Sequence, residues 1–342
     1  MFRRAAFALT FIVSCAVSAS AGEGFRWRID EVNEVSRPDV EKSANLGGIA
    51  WGSNDTYLAV TDWNTRIWEL TLPHDPETGR ILSCELKYLC DPVLTVDVEG
   101  LALDPLNGSV WLADERAATI RQHDPLTGRA LAGNVSIPAS LKDFRRDSGL
   151  ESLTISRDGL SMWTCTEEAI KSDGPRATRK DGTDVRLTRF RRSSANAAWK
   201  MAGQWVYHTD SVAGGPWYSR KKRDLSRSGV SELCVLDDGT LLVLEREFSV
   251  VLIPRLRCRI YEVDMSFAKD VSAMKNLSGL KESDRVKRRL LYDASGFSMY
   301  EGMCLGPVLN DGSRMLVLVS DADKKTFRSV LSLRLSRLKN GK

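Results

Sequence analysis

The hydrophobic positions of this chain recur as a repeated phrase and not as helical stripes. Five short apolar or alternating runs share one pattern: NLGGIAW at 45–51, VEGLALDP at 98–105, GLESLTIS at 149–156, GVSELCVL at 229–236 and YEGMCLGP at 300–307. Each precedes a turn signal, in order SND, PLNG, RDG, DDG and NDG. A second apolar run ending in acid then follows: YLAVTD to Asp62, VWLADE to Glu115, MWTCTE to Glu167, LLVLE to Glu245 and MLVLVSD to Asp321. Two runs of strand length around such turn residues predict a β-hairpin.

A third strand follows each hairpin: RIWELTL, TIRQHD, VRLTRF, CRIYEVD and VLSLRL. Fourth strands follow four of them, ILSCELKYL, RALAGNVSI, WKMAGQWVY and RRLLYDA, whereas the fifth group runs out of chain. FRWRIDEV at 25–32 is a strand with no group of its own. The pattern predicts an all-β fold, a β-propeller of five four-stranded blades (six is the alternative count) closed by the N-terminal strand. Pairing the two chain ends closes the ring without an exposed edge.

HDPETGR at 74–80 recurs as HDPLTGR at 123–129, at the same corner between third and fourth strands. This is turn chemistry, with Pro after Asp and a glycine supplying positive φ. Two of the three histidines, His74 and His123, are thereby assigned to corners, and no G-x-S-x-G elbow is present. Serine and cysteine nucleophile triads are not expected.

At the N-terminus, Arg3 and Arg4 precede an apolar stretch from Ala5 to Val17 and then Ala19-Ser20-Ala21. This reads as a secretory leader cleaved after Ala21, so residues 1–21 are assigned to a signal peptide and 22–342 to a single propeller domain. A lipidated Cys15, suggested by Ile12-Val13-Ser14-Cys15, is the second option. A periplasmic or secreted location follows. No apolar run reaches the ~20 residues of a membrane-spanning helix. Six cysteines lie outside the leader, with no zinc-type spacing. Cys84 and Cys90 would sit ~20 Å apart along an extended strand, beyond disulfide reach.

The charge balance, 49 basic against 45 acidic residues for a net +4, argues against a nucleic-acid binder. Position along the repeat is more informative than the total. In a blade the start of the first strand and the end of the second share one mouth of the ring. Glu99 with Glu115, Glu151 with Glu167, Glu232 with Glu245 and Glu301 with Asp321 fall at those two places, and Asp62 stands alone because Gly48 replaces the first acid. Nine carboxylates at one mouth repel unless hydrogen-bonded, protonated or neutralised by a cation. Hard oxygen donors without histidine or thiolate suit calcium. In that reading Asp62, Glu99, Glu115, Glu167, Glu232, Glu245 and Asp321 are metal ligands, and Glu151 or Glu301 is a general base for water. The competing reading is that these acids accept loop amides and hold the blade corners.

Arg116 and Arg246 directly follow hairpin-end acids. They are placed to bind a phosphate or carboxylate, or else to form salt bridges inside the mouth. Two polar, basic insertions, at 171–185 and 208–229, belong to the same mouth. They add Arg176, Arg179, Lys180, Arg220, Lys221, Lys222 and Arg223, with Trp217 and Tyr218 as a contact platform. Loops of this length are disproportionately functional. Arg220, Lys221 and Lys222 join Arg116 and Arg246 as candidate substrate contacts for an anionic, phosphorylated small molecule.

The phrases EGLALDP, GLESLTIS, GVSELCVLDDGTLLVLERE, YEGMCLGP and VLVSD resemble the phytase-like family, whose members are labelled as having esterase-like activity of phytase. The resemblance runs from about Leu46 to Leu335. It implies a propeller and export and, by analogy with β-propeller phytases, calcium-dependent phosphoester hydrolysis at one mouth. Where members often carry Asp-Asp-Asn after the last hairpin, this chain has Asp321-Ala322-Asp323-Lys324. The expectation is a calcium-assisted phosphoester or ester hydrolase. The alternative is a non-catalytic propeller that binds an anionic small molecule, a glycan or a protein.

Overall fold

The computed structural model describes residues 24–40, 45–62, 65–145, 148–216, 225–251, 253–296, 298–321 and 328–338. The leader with Ala21 and Cys15, the Trp217–Arg223 stretch with Arg220, Lys221 and Lys222, and Asp323 lie outside the described residues.

Strand β1 (Trp27–Ser36) precedes five repeats. Blade 1 is β2 (Leu46–Ser53), β3 (Thr56–Thr61), β4 (Ile67–Thr71) and β5 (Glu85–Cys90); blade 2 is β6 (Val98–Leu103), β7 (Val110–Asp114), β8 (Thr119–His123) and β9 (Ala130–Val135). Blade 3 is β10 (Thr154–Ile155), β11 (Ser161–Thr164), β12 (Asp184–Arg191) and β13 (Lys200–His208); blade 4 is β14 (Arg227–Val235), β15 (Leu241–Val251), β16 (Ile253–Asp264) and β17 (Lys287–Gly296). Blade 5 is β18 (Met299–Val308), β19 (Arg314–Asp321) and β20 (Ser329–Arg337), completed by β1 in the order β18-β19-β20-β1. The closing pairs run antiparallel from Trp27 opposite Arg337 to Ser36 opposite Ser329. Five four-stranded blades closed by an N-terminal strand is the architecture that the repeat predicts. Apart from strands, the described residues hold only two short 3-10 turns, Ala139–Lys142 and Glu282–Asp284, and no helix long and apolar enough to cross a membrane.

Apolar side chains fill the spaces between blades. Leu58, Val60 and Ile67 of blade 1 pack on Val98, Leu101 and Leu112 of blade 2, and Trp111 and Ile120 of blade 2 on Met162 and Phe190 of blade 3. Further clusters join blade 3 to 4, 4 to 5 and 5 to 1. Because each sheet is covered on both faces, a strand such as β7 is buried at every position. That is why these runs read as continuous apolar stretches and not as strict alternation.

The EG dipeptides of the repeat have a backbone explanation. Glu99 and Glu301 are extra residues bulged out of the ladder, since Val98 and Gly100 pair with consecutive Asp114 and Ala113, and Tyr300 and Gly302 with Ser320 and Val319. The glycine that follows lies where neighbouring inner strands nearly touch: a Cβ on Gly302 would fall 2.0 Å from the Gly47 carbonyl oxygen, and one on Gly100 2.8 Å from the Leu153 nitrogen. The HDP-TGR corners are turns in which Asp75 and Asp124 accept backbone amides, while Gly79 and Gly128 have φ of 76° and 69°. His74 bonds Asp55 at 2.8 Å, and His123 lies 3.0 Å from the Val93 carbonyl. All six cysteines among the described residues are free and buried, and β5 separates Cys84 from Cys90.

Candidate functional site

The inner-strand bulges and the ends of the second strands generate two tiers of positions around the axis. The bulge tier is Gly47, Glu99, Glu151, Ser231 and Glu301, because across Leu46/Ile49, Leu150/Thr154 and Val230/Glu232 the inner strand likewise carries one residue more than its partner. The second tier is the residue just past each equivalent pair: Asp62, Glu115, Glu167, Arg246 and Asp321. Blade 4 is therefore the exception in both tiers. Its bulge position is Ser231, and its second position is an arginine.

Arg246 is the hub of this mouth. Its guanidinium lies 3.0 Å from Glu151 and 2.9 Å from Glu167, and it is ion-paired with Glu301. Burial opposes its charge, but Glu167, Glu151, Glu99 and Asp321 outweigh burial and hold its pKa above the ordinary arginine value. Burial first and Glu167 second push the Glu151 carboxyl well above the usual carboxylate range, against the pull of Arg246.

On the opposite side of the ring, carboxylate oxygens of Asp97, Glu99 and Glu115 lie within 4.8 Å of one another. Asp97, just before β6, is a site residue that the repeat pattern misses; an acid preceding the EGL phrase was the available signal. Burial, then Asp62, Glu115 and Asp97, push Glu99 well above the usual range. Among the described residues, the Glu99 carboxylate makes no hydrogen bond or ion pair. Glu115 accepts the Gly149 amide at 2.8 Å, and Arg116 pairs with Asp97 at 2.8 Å. Three hard-oxygen donors drawn together against their own repulsion fit a divalent cation, calcium in the first place.

Glu232 and Glu245 lie elsewhere. Glu232 is displaced by one residue from the bulge position and accepts the amides of Leu153 at 3.1 Å and Leu233 at 2.9 Å, tying blade 3 to blade 4 below the ring. Burial drives its pKa well up. Glu245 pairs across the ladder with Val230 and so points into the space between blades 3 and 4. There it accepts from Tyr207 at 2.6 Å, Arg288 at 2.8 Å and the Asp210 amide at 3.0 Å. The structure thus brings Asp62, Glu99, Glu115, Glu151, Glu167, Glu301, Asp321, Arg116 and Arg246 to one mouth and leaves Glu232 and Glu245 out. By register, Gly47 and not Gly48 takes the acid's place in blade 1. The 171–185 insertion belongs to this mouth, since Arg176 pairs at 2.6 Å with Glu168, the neighbour of Glu167. Thr209–Pro216 is fastened by Glu245 and by Glu247, which accepts the Ala213 amide at 3.0 Å.

A family profile described as "Phytase-like: Esterase-like activity of phytase" matches residues 42–324. No curated protein matches the chain. Similar solved structures include a tail fibre of Staphylococcus aureus phage P68 (12% identity, TM-score 0.42), covering 92% of this chain, which spans only 53% of the fibre chain. A streptogramin B lyase (13%, TM-score 0.33) covers 92% of this chain and 98% of its own. A putative oxidoreductase (glucose dehydrogenase) from Thermus thermophilus (12%, TM-score 0.38) covers 91% and 100%. Likenesses this distant carry no argument about activity.

Proposed function

The chain belongs to the phytase-like family, and from that premise we propose that its acidic mouth is a calcium-assisted hydrolytic site for an anionic ester, a phosphoester first, in an exported protein. The single observation that carries this reading is the Asp97, Glu99 and Glu115 cluster, with oxygens within 4.8 Å and Glu99 left without a protein partner among the described residues. Electrostatics favours a cation there. Eight carboxylates (Asp62, Asp97, Glu99, Glu115, Glu151, Glu167, Glu301 and Asp321) outnumber the cations beside them among the described residues, Arg116 and Arg246 with Arg37 near Asp321, so an anionic substrate would be repelled without further positive charge.

Asp97, Glu99 and Glu115 would hold calcium, with Asp62 beside them. Bound there, it supplies a Lewis acid that polarises an ester oxygen and makes water more acidic. The protein's own groups do the rest. Arg246 presents a guanidinium between Glu151 and Glu301, where it orients an anionic group. Glu151, whose carboxyl is pushed well above the usual carboxylate range by burial, accepts or returns a proton. Glu301 keeps Arg246 in place. Arg220, Lys221 and Lys222 remain proposed contacts for the phosphate, and the leader supports a periplasmic or secreted location.

A second reading is a non-catalytic propeller that binds an anionic small molecule, glycan or protein. It is favoured by the engagement of Arg246 with three carboxylates, which suits a strut as well as a substrate contact. Calcium titration by calorimetry of the parent protein and of Glu99→Gln, with hydrolysis of p-nitrophenyl phosphate and p-nitrophenyl acetate, separates the two. Hydrolysis should need calcium and fall at least about a hundredfold in Glu151→Gln. Calcium binding without turnover supports the second reading, and absence of calcium binding removes the metal-centred mechanism.

A further inference from the structure

The inner strands run from the acidic mouth to the opposite one, and their far ends enclose a cavity of about 520 Å³. All five blades line it, through residues 49–52, 101–105, 153–157, 234–235 with Asp237, and 303–305. Its wall mixes apolar side chains, Leu101, Leu153, Met303 and Leu305 with Trp51, with the charged Asp104, Arg157, Asp237 and Arg314. A cavity of this size, apolar with a few polar groups, is the usual form of a small-molecule site.

A second cavity of about 440 Å³ continues from it between blades 3 and 4. The two share Ser156, Arg157, Val235 and Asp237, so they form one branched recess. The branch ends on Arg189. Its guanidinium carbon lies 5.4 Å from the Trp163 ring centroid and 4.9 Å from that of Trp205. Among the described residues it makes no hydrogen bond or ion pair, and its Nε is buried without a partner. Two indole faces hold the cation in position but satisfy none of its N–H donors. The other charges of the lining are Arg157 and Arg314, both on Asp237 at 3.4 and 2.6 Å, Asp158, which accepts from Ser156 and the Leu160 amide, and Asp104, which is paired with Arg192 at 2.7 Å; Arg191 and Asp270 act on Arg189 through space with opposite sign. Each of these lining aspartates is already held by an arginine or by local donors, which leaves Arg189 as the lining cation without a hydrogen-bonded acceptor among the described residues.

We propose that this recess is a second ligand site, for a small organic anion with an apolar body and a single anionic head. The body lies against the five inner strands, and the head bonds Arg189 with Arg157 beside it. The cavity supplies the apolar contact, and the buried donor without an acceptor supplies the reason for an anion. The site is separate from the acidic mouth and does not depend on hydrolysis there.

The probe is 8-anilinonaphthalene-1-sulfonate, an aromatic body with one sulfonate, followed by its emission and by quenching of tryptophan fluorescence. The expected result is saturable one-to-one binding, unchanged by calcium, that weakens about tenfold in Arg189→Gln and less in Arg157→Gln. The uncharged N-phenyl-1-naphthylamine should bind through the apolar body alone and be indifferent to Arg189→Gln. Leu305→Trp should fill the cavity and exclude both probes. Circular dichroism melts identify any variant that fails to fold, and exposed Arg157 provides a substitution that leaves packing untouched. Non-saturable binding, or equal affinity in the parent, Arg189→Gln and Arg157→Gln, overturns the proposal.

Discussion

Replacing Arg246 with methionine keeps most of the side-chain volume and removes the cation from Glu151, Glu167 and Glu301. The arginine side chain is only 14% exposed and its three partners 8% or less, so solvent screens little of the lost attraction. Breaking such a buried network costs about 3–5 kcal/mol, because the partners stay buried without compensation. The carboxylates can limit the damage by taking up protons, which fixes the pH dependence. Glu151 already has a raised folded-state pKa. Its contribution therefore favours the fold below the unfolded value near 4.5 and is lost as pH rises through the folded value. Without Arg246 the folded value of Glu151 rises further and the slope steepens. In urea titrations followed by tryptophan fluorescence between pH 4.5 and 8, Arg246→Met should lose several kcal/mol at pH 7.5 and about 1 kcal/mol at pH 4.5. Arg246→Lys should lose less at the upper end because it keeps the charge. An equal loss at both pH values would show that the arginine acts by packing, and no loss would show that the three carboxylates do not depend on it.

Other outcomes follow from the same contacts. Arg192 and Asp104 pair at 2.7 Å with 1% and 0% side-chain exposure, and Arg192 stacks on Trp199 at 4.4 Å. Arg192→Met or Asp104→Ala alone should lower the urea midpoint by the equivalent of about 3–5 kcal/mol, with part regained in the double variant; full additivity would refute the coupling. His208 bonds Asp184 at 2.7 Å and Asp181 at 3.0 Å, and chiefly through Asp184 its pKa is raised despite the nearby Arg285. Its stabilisation is complete below the unfolded value near 6.5 and is lost as pH rises through the folded value. His208→Gln should therefore remove up to about 1 kcal/mol at pH 6 and less at pH 8.5, read from thermal melts. A pH-independent difference would refute the charged pair.

The repeat phrase carried strand order, the use of β1 as a closing strand and a count of five blades with six as the alternative, because each follows from near-neighbour pattern. Turn residues set hairpins, and apolar runs long enough for a strand set blades. The two-face burial of strands such as β7 is legible in the same way. The shared mouth of Glu99, Glu115, Glu151 and Glu167 also follows from strand direction alone.

What strand direction does not fix is which face a side chain takes. A strand reverses its facing at every residue, so a one-residue bulge exchanges ring and interface. The acid ending LLVLE, Glu245, stands one residue before the ring position, at the place of Thr61 and Asp114, and so lies between blades 3 and 4 while the next residue, Arg246, joins the ring. The same shift puts Ser231 at the bulge position and takes Glu232 to a backbone-holding role. Asp97 entered the site because a loop before β6 brings it to Glu99 and Glu115. The chain's local chemistry determined the ring of blades and supplied its acids; tertiary register, set by bulges and by how closely inner strands approach at the axis, decided which of those acids meet and where Arg246 stands among them.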